Sequence, residues 1–460
     1  MRRKMKRGRR PLAGRSAGKA RRSGPVRRRK TGRRTGYTRG YSAGYNAGYN
    51  FGFDTGMISF QQPFEGTSII IPTYNQGELL KQCIESIGEF TTEPHEIIII
   101  DNASTDGTAD YLRSIAGNGS VQGNARLRYR INMENIGFAG GVNQGLKMAR
   151  GSTLLLLNND TIVTRGWLTN LLGCLHSDER IGLVGPMTNY ISGAQLVAVP
   201  YKSTEEMHRF AEEFNRPDPA KWMRTERITG FCLLFRRDLF DRLGYFDEGF
   251  EMGNCEDDDF CLRVLLLGHE LVIAGDTFIH HVGSVSMKSL GDQMGEVYAR
   301  NLDFYGRKWG DAMRLAAEAA GYPRERRGML QFYPDGAHVK GNQGVSFRLT
   351  RGTRQRLLQA DGAAPPPVRL SHVELRGSPL GEPLDDVSVF AGSGEGLLRG
   401  EDGVLYRLEN GKLRRFVSPF AFAAWGFAEE QAAAAYADTI GSLPHGLPII
   451  APVTLRSANL

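Results

Sequence analysis

Three apolar runs constrain the fold of this chain more than any other feature. "SIIIP" begins at Ser68, "HEIIIID" at His95 and "STLLLLNND" at Ser152. Each is short and continuous rather than alternating, which is the pattern of a strand buried on both faces. Helical patterns lie between them. "GELLKQCIESIGEF" follows the first run as an amphipathic helix, "GTADYLRSIA" opens another after the second, and "GFAGGVNQGLKMA" reads as a Gly-rich turn into a helix before the third. A weaker strand, "ARLRYRIN", fits between the last two helices. Strand and helix alternate, so the expected fold class is α/β, with a mostly parallel, Rossmann-like sheet. Asn75, Asp101 and Asp160 fall at or just past strand carboxyl ends, the edge where open α/β sheets gather their ligand sites.

The region from 164 to 310 is less regular. "ITGFCLLFRRDLFDRLGYFDEGF" predicts a strand and then a helix. "EDDDFCLRVLLLGH" predicts an acidic opening into a helix, and "LVIAGDTFIHHVGSVS" a strand and loop.

The charge is divided sharply along the chain. The net charge is +8, yet 18 Lys and Arg lie between Arg2 and Arg39 and no acid precedes Asp54. The rest of the chain is therefore acidic overall. Residues 1–60 are an Arg-rich stretch followed by the Gly-aromatic repeat "GYTRGYSAGYNAGYNFGF". They cannot bury enough surface to offset ordering entropy, so a disordered tail is expected. Arginine mixed with tyrosine fits an anionic surface or polymer, and a plain solvated linker is the alternative. Five cysteines with no CxxC pair argue against a disulfide scaffold or zinc ribbon and fit a reducing cytosol. No apolar run approaches the ~18 residues of a spanning helix. The expected location is cytoplasmic or peripheral at the membrane.

A repeat closes the chain. "VKGNQGVSFRLTRGTRQR" at Val339 and "LRGEDGVLYRLENGKLRR" at Leu398 match with a shift of 59 residues, and each reads as a β-hairpin. A helix is expected over "AEEQAAAAYADTI". Three segments follow: the tail at 1–60, the α/β domain at 61–315, and a small β-rich module with a helix at 325–460.

Six stretches occur in order: "SIIIPTYNQGELLKQCIESI", "IIIIDNASTDGT", "ENIGFAGGVNQGL", "LLLLNND", "GYFDEGF" and "EDDDFCLR". Together they resemble the family 2 glycosyltransferases of the GT-A fold, notably the rhamnosyltransferase-like branch. The resemblance covers about Thr67 to Trp309 and excludes the tail and the C-terminal repeat. It implies an inverting transfer of a sugar from a nucleotide-diphosphate sugar, UDP or dTDP, to an acceptor hydroxyl. It implies a divalent metal, Mn2+ or Mg2+, held by Asp160 and by a histidine, with His280 favoured over His281. Asp257 matches the general base. Pro72, Thr73, Tyr74, Asn75 and Asp101 match the nucleobase and ribose site. Asn135, Gly140, Asn143, Asn158 and Asn159 complete the donor-binding set. Asn158 stands where the family often has an acid, which leaves one charge fewer for the metal.

The physical chemistry of these residue types agrees with those roles. A hard cation held by a carboxylate can neutralise a leaving diphosphate. An acceptor hydroxyl is a poor nucleophile until a positioned carboxylate takes its proton. Two other functions compete with this one. A nucleotidyltransferase usually has a loop rich in Gly, Arg and Lys after the first strand, where this chain has "PTYNQGELLK". A non-catalytic glycan- or surface-binding protein is disfavoured because both acids are present. The acceptor, whether glycan, lipid-linked or protein, is not named by any motif. A bacterial cell-surface polysaccharide is the class that the resemblance suggests.

Overall fold

The computed structural model describes residues 64–116, 126–283, 293–322, 327–341, 344–358, 366–384, 396–457 and 460. The tail and its Gly-aromatic repeat lie outside them. The α/β part runs β1 (Phe64–Thr73), α1 (Gly77–Phe90), β2 (His95–Asp101), α2 (Thr108–Ala116), β3 (Arg126–Ile131), α3 (Gly137–Met148) and β4 (Gly151–Leu157). It continues through β5 (Thr161–Ile162), α4 (Trp167–Ser177), β6 (Ile181–Thr188), α5 (Thr204–Phe214), β7 (Trp222–Thr225), β8 (Cys232–Arg236) and α6 (Arg237–Leu243). It ends with α7 (Glu256–Leu266), β9 (Glu270–His281), α8 (Gln293–Trp309) and α9 (Ala312–Ala320).

One sheet has the order β3-β2-β1-β4-β8-β6-β9-β5, with β7 on β9. Strands β3, β2, β1 and β4 are mutually parallel, β8 runs against β4 and β6, and β9 is parallel to β6. The sheet is therefore α/β and largely parallel on its N-terminal side, as the apolar runs required.

Those runs are continuous because both faces of the sheet are covered. Ile70, Ile98, Ile100, Leu154 and Leu156 enter one core, shared with α3, α6 and α7. Their neighbours Ile69, Ile71, Ile97, Ile99, Leu155 and Leu157 enter the other, shared with α1 and α4. Successive side chains point to opposite faces, so a strand covered on both must be apolar at every position.

Helix α3 packs against β1 at Gly145. A Cβ there would lie 2.3 Å from Ile70 Cγ2. Gly145→Ala gains about 1 kcal/mol of helix propensity but overpacks a fully buried contact at about 1–3 kcal/mol. A net loss of up to about 2 kcal/mol is expected in urea denaturation. A raised midpoint would refute the tight contact.

The C-terminal residues build two further sheets. The first contains β10 (His338–Lys340), β11 (Ser346–Thr350), β12 (Thr353–Leu357), β13 (Val368–Arg369) and β14 (Leu380–Leu384). The second contains β15 (Leu397–Arg399), β16 (Leu405–Glu409), β17 (Lys412–Arg415) and β18 (Ala433–Ala434). The 59-residue shift is visible in the pairing. Val339 faces Phe347 and Phe347 faces Arg356, while Leu398 faces Tyr406 and Tyr406 faces Arg415. Each hairpin turns on two left-handed residues, Arg351–Gly352 and Asn410–Gly411, as the favoured two-residue turn requires.

The helix expected over "AEEQAAAAYADTI" is not formed as one element. Glu429–Gln431 make a single 3-10 turn, Ala433–Ala434 pair with Leu398–Arg399 as β18, and only Ala437–Ser442 are α-helical. Strand pairing overrides the alanines' helix propensity, which is a weak local preference. The core shared with α3, α6 and α7 continues into Val339, Leu370, Leu397, Phe416, Phe422 and Ile449. The sequence break read near residue 320 thus carries no break in the apolar core, and residues 63–460 form one compact unit.

Candidate active site

The carboxyl edge of the parallel strands opens into a cavity of about 380 Å³. Of the residues singled out from sequence, Pro72, Thr73, Tyr74, Asn135, Asn158, Asn159, Asp160 and Asp257 line it. Thr73 ends β1, and its Oγ1 accepts a hydrogen bond from Asn159 Nδ2 at 2.8 Å, which ties the ends of β1 and β4 together. Asn135 Oδ1 accepts from Gly137 N at 3.0 Å and so holds the first turn of α3, where Gly137 has φ 76°.

Asp160 lies three residues past the end of β4 and directly before β5. The short strand β5 then pairs antiparallel with the end of β9, Thr161 opposite His281. That pairing sets His281 Nε2 3.2 Å from Asp160 Oδ1. The imidazole is fixed from its other side, with Nδ1 2.8 Å from the Tyr190 carbonyl oxygen and the ring stacked on Phe231. A carbonyl can only accept, so Nδ1 is the donor to it, and in the neutral imidazole Nε2 is the nitrogen with the lone pair. His281 Nε2 is buried, lacks a hydrogen-bond partner of good geometry, and lines the cavity. His280, the histidine favoured from sequence, lies on the other face of the strand, with Nδ1 2.7 Å from Tyr201 Oη. Alternation along a strand allows only one of two adjacent residues to face the cavity.

Four other sequence candidates do not line the cavity and brace it instead. Asn75 has φ 58° and its Oδ1 accepts from Thr105 N at 2.8 Å, joining the loops after β1 and β2. Asp101 is fully buried; its Oδ1 accepts from the backbone N–H and the hydroxyl of Ser104, and its Oδ2 has no partner. Asn143 donates to the Phe246 carbonyl and to Glu248 Oε1, at 2.9 and 3.0 Å. Gly140 packs on Ile136, where an added Cβ would lie 3.1 Å away.

Asp257 stands at the start of α7. Its Oδ2 accepts from Gly230 N at 2.8 Å and its Oδ1 from Asp258 N at 3.0 Å. Each oxygen keeps a lone pair for a further proton. Burial, and then the charge of Asp258, push its pKa up to about 6, against the pull of the Gly230 N–H and Arg227. The neighbouring acids divide by environment. Asp258 pairs with Arg227 at 2.5 Å. Asp259 turns inward to Arg263 and Lys308. Glu256 is buried in the cavity wall with Oε2 unpartnered, and burial followed by the charge of Asp257 raises its carboxyl well above the ordinary range.

Sequence reasoning missed several lining residues, among them Asn102, Ile191, Phe231, Met252, Asn254 and Glu256. Asn102 adjoins Asp101 and Glu256 adjoins Asp257, so strand-end and motif position were signals for both. Met252 to Asn254 are brought in by a loop with four successive positive φ values, at Met252, Gly253, Asn254 and Cys255. Three of those residues are not glycine, and such strain persists only where the surroundings over-determine it. Asn301 of α8 supplies that restraint: its Nδ2 donates to the carbonyls of Glu251 and Gly253, both at 2.8 Å, and its Oδ1 accepts from Glu251 N at 2.8 Å.

Among the described residues no group of three or more His, Cys, Asp or Glu could hold a metal by itself. The pair Asp160 and His281 does fit a divalent cation whose other positions are filled by phosphate or water. One carboxylate oxygen and one unpartnered imidazole nitrogen meet, and that nitrogen's ring is oriented by a carbonyl, the usual support for a ligating histidine.

The α/β part of the chain has known relatives. Residues 68–244 match the family model Glycosyl transferase family 2. This part of the chain is thus similar to family 2 glycosyl transferases, and its own fold is α/β, with a sheet largely parallel on its N-terminal side. An uncharacterized protein y4gI of Sinorhizobium fredii is 24% identical over 54% of this chain and 28% of its own length. Glycosyltransferase GlyG of Streptococcus pneumoniae is 24% identical over 45% of this chain and 68% of its own. The chain thus spans little more than a quarter of the first and about two thirds of the second. Among solved structures, a mannosyltransferase from Pyrobaculum calidifontis in complex with GDP-Man and Mn2+ has a TM-score of 0.37 and 21% identity, over 56% of this chain and 74% of that one.

Proposed function

We propose that the protein is an inverting glycosyltransferase that moves a sugar from a nucleotide-diphosphate sugar to an acceptor hydroxyl, with Asp257 as general base. The observation that carries this reading is the opposition of two unlike acids across one cavity. Asp160 lies beside the buried Nε2 of His281, where a cation is favoured and, through that cation, a phosphate. Asp257 lies in the same cavity with a carboxyl tuned to about 6, near the pH at which a base is most effective. Such a split of two carboxyl environments is the mark of separate roles.

In this reading Pro72, Thr73 and Tyr74 receive the nucleobase end of the donor, and Asn158 and Asn159 hold its diphosphate beside Asp160 and His281. A divalent cation held by those two residues supplies Lewis-acid neutralisation of the leaving diphosphate. Asp257 accepts the acceptor's hydroxyl proton as the oxygen attacks the anomeric carbon, and the bond to the diphosphate breaks on the opposite side. Configuration at that carbon is then inverted. Asn158 in place of an acid is the feature that favours the rhamnosyltransferase-like branch, and the name of the relative GlyG is consistent with transferase activity. UDP and dTDP sugars are the donors proposed.

The metal assignment is tested apart from catalysis. His281→Ala is expected to weaken nucleotide diphosphate binding in the presence of Mn2+ by about 10- to 100-fold, while binding without metal stays as it was. His280→Ala is expected to leave both unchanged. Isothermal titration of UDP and dTDP, with Mn2+ and with a chelator, decides the matter. Equal affinities for the wild type and His281→Ala in Mn2+ would remove His281 from the site.

A further inference from the structure

A second cavity, of about 640 Å³, lies on the far side of Asp257. It shares Asp257, Ile191, Thr229 and Asn254 with the first cavity, so the carboxylate stands on the partition between them. The lining of the second cavity differs in kind. Tyr190 and Tyr298 present their rings to it while 41% and 50% exposed, and Leu196 adds apolar surface at 50%. The Tyr190 ring packs edge-on to His281, and a Cβ at Gly283 would lie 2.9 Å from it. Among the described lining residues the one cation, Arg227, is already paired with Asp258. Asp257 and Asp258 leave the lining net negative.

We infer that this second cavity is the acceptor subsite and that it takes an uncharged sugar, stacked by one face on tyrosine. The inference rests on the reading of Asp257 as base. A pyranose ring carries C–H groups on its faces and hydroxyls around its rim. A tyrosine ring offers a flat apolar contact at low entropic cost with a polar tip, which matches that division. Exposed aromatics in a concave site are a binding feature rather than packing. The charge argument sets the class. An acceptor hydroxyl must approach Asp257, so a phosphate or carboxylate on the same sugar would sit against two acids, and the one cation among the described lining residues, Arg227, is engaged. An anionic acceptor, which the basic N-terminal stretch would suit, is therefore not the sugar at this position.

The test uses the full chain and free monosaccharides as probes, observed by saturation-transfer NMR with UDP and Mn2+ present. Glucose, galactose, rhamnose and N-acetylglucosamine are compared with glucuronic acid and glucose 6-phosphate. At least one neutral sugar is expected to bind at least about tenfold more tightly than either anionic one. Tyr298→Ala is expected to weaken that binding about tenfold or more, and Tyr298→Phe to retain it. Tyr298 is half exposed on α8, so either variant should fold; titration of UDP with Mn2+ on each variant checks this and is expected to be unchanged. Preferential binding of an anionic sugar, binding of no neutral sugar, or indifference to Tyr298→Ala would each overturn the inference. If UDP and dTDP also fail to bind the wild type, the donor reading fails as well; if either binds, only the acceptor inference falls.

Discussion

Asp257→Asn will lower the transfer rate by about 10²- to 10⁴-fold, the usual worth of a general base, and will leave nucleotide binding within about twofold. The substitution keeps the shape of the side chain. The amide oxygen of the variant can still accept from the Gly230 N–H that anchors Asp257 Oδ2 at 2.8 Å. What is lost is the capacity to take a proton, together with the acceptor that Asp257 Oδ1 offers to the Asp258 N–H at 3.0 Å. The pH profile gives a second readout. A base works when deprotonated, so the wild-type kcat/KM should rise with pH through about 6 and level off above it. That rising limb should be missing from the residual activity of Asp257→Asn. The same shift has a cost in stability. The folded-state value lies above the ordinary 3.8, so between about 4 and 6 the native state binds more protons than the unfolded chain. Native stability therefore falls as pH rises through that window. Rates of product formation and calorimetric titration of the nucleotide are the measurements required. Near-normal transfer by Asp257→Asn would end its assignment as base.

The cavity lining at the ends of β1 and β4 was legible because it is local. Pro72 to Tyr74 and Asn158 to Asp160 follow strands whose apolar runs announce themselves, and their place at the sheet's carboxyl edge comes from strand polarity alone. Asp257 was legible through a run of acids, although sequence alone could not say how the four would divide. The division is made by partners far away in the chain: Arg227 for Asp258, Lys308 and Arg263 for Asp259, and the cavity for Asp257 and Glu256. The choice between His280 and His281 turned on which face of β9 meets β5. That is a register fact, and a one-residue change reverses it. Asn143 and Asp101 do not line the cavity. These polar residues at motif positions hold loops, Asn143 through Phe246 and Glu248, Asp101 through Ser104. Asn301, which secures the strained loop before Asp257, belongs to no motif at all.

Lys308→Met should destabilise the native state by about 3–5 kcal/mol, because it strips a buried cation from between two buried carboxylates. Lys308 and both of its partners are almost fully buried. Its Nζ donates to Asp247 Oδ2 at 2.6 Å and to Asp259 Oδ1. Asp259 would keep Arg263 at 2.8 Å and the Trp309 indole N–H at 2.9 Å, but Asp247 would keep only backbone donors, Gly249 N at 2.7 Å and Thr454 N at 3.1 Å. Most of the loss therefore falls on Asp247. The double variant Lys308→Met/Asp247→Asn should recover much of it, since a neutral amide oxygen still accepts from those N–H groups and no charge is left unpaired. Acid should show the same coupling. Burial alone would raise the Asp259 carboxyl, yet Lys308 and Arg263 outweigh it and hold the group below its ordinary range. Its contribution is thus present above about pH 4 and is lost as pH falls through the lowered value; in Lys308→Met that dependence should flatten. Urea denaturation of the three proteins at neutral and acidic pH measures all of this. A loss under about 1 kcal/mol for Lys308→Met would mean that water or another cation compensates the pair. The network would then not be what fixes α7, and with it Asp257, against α8 and the C-terminal segment at Ser418 and Thr454.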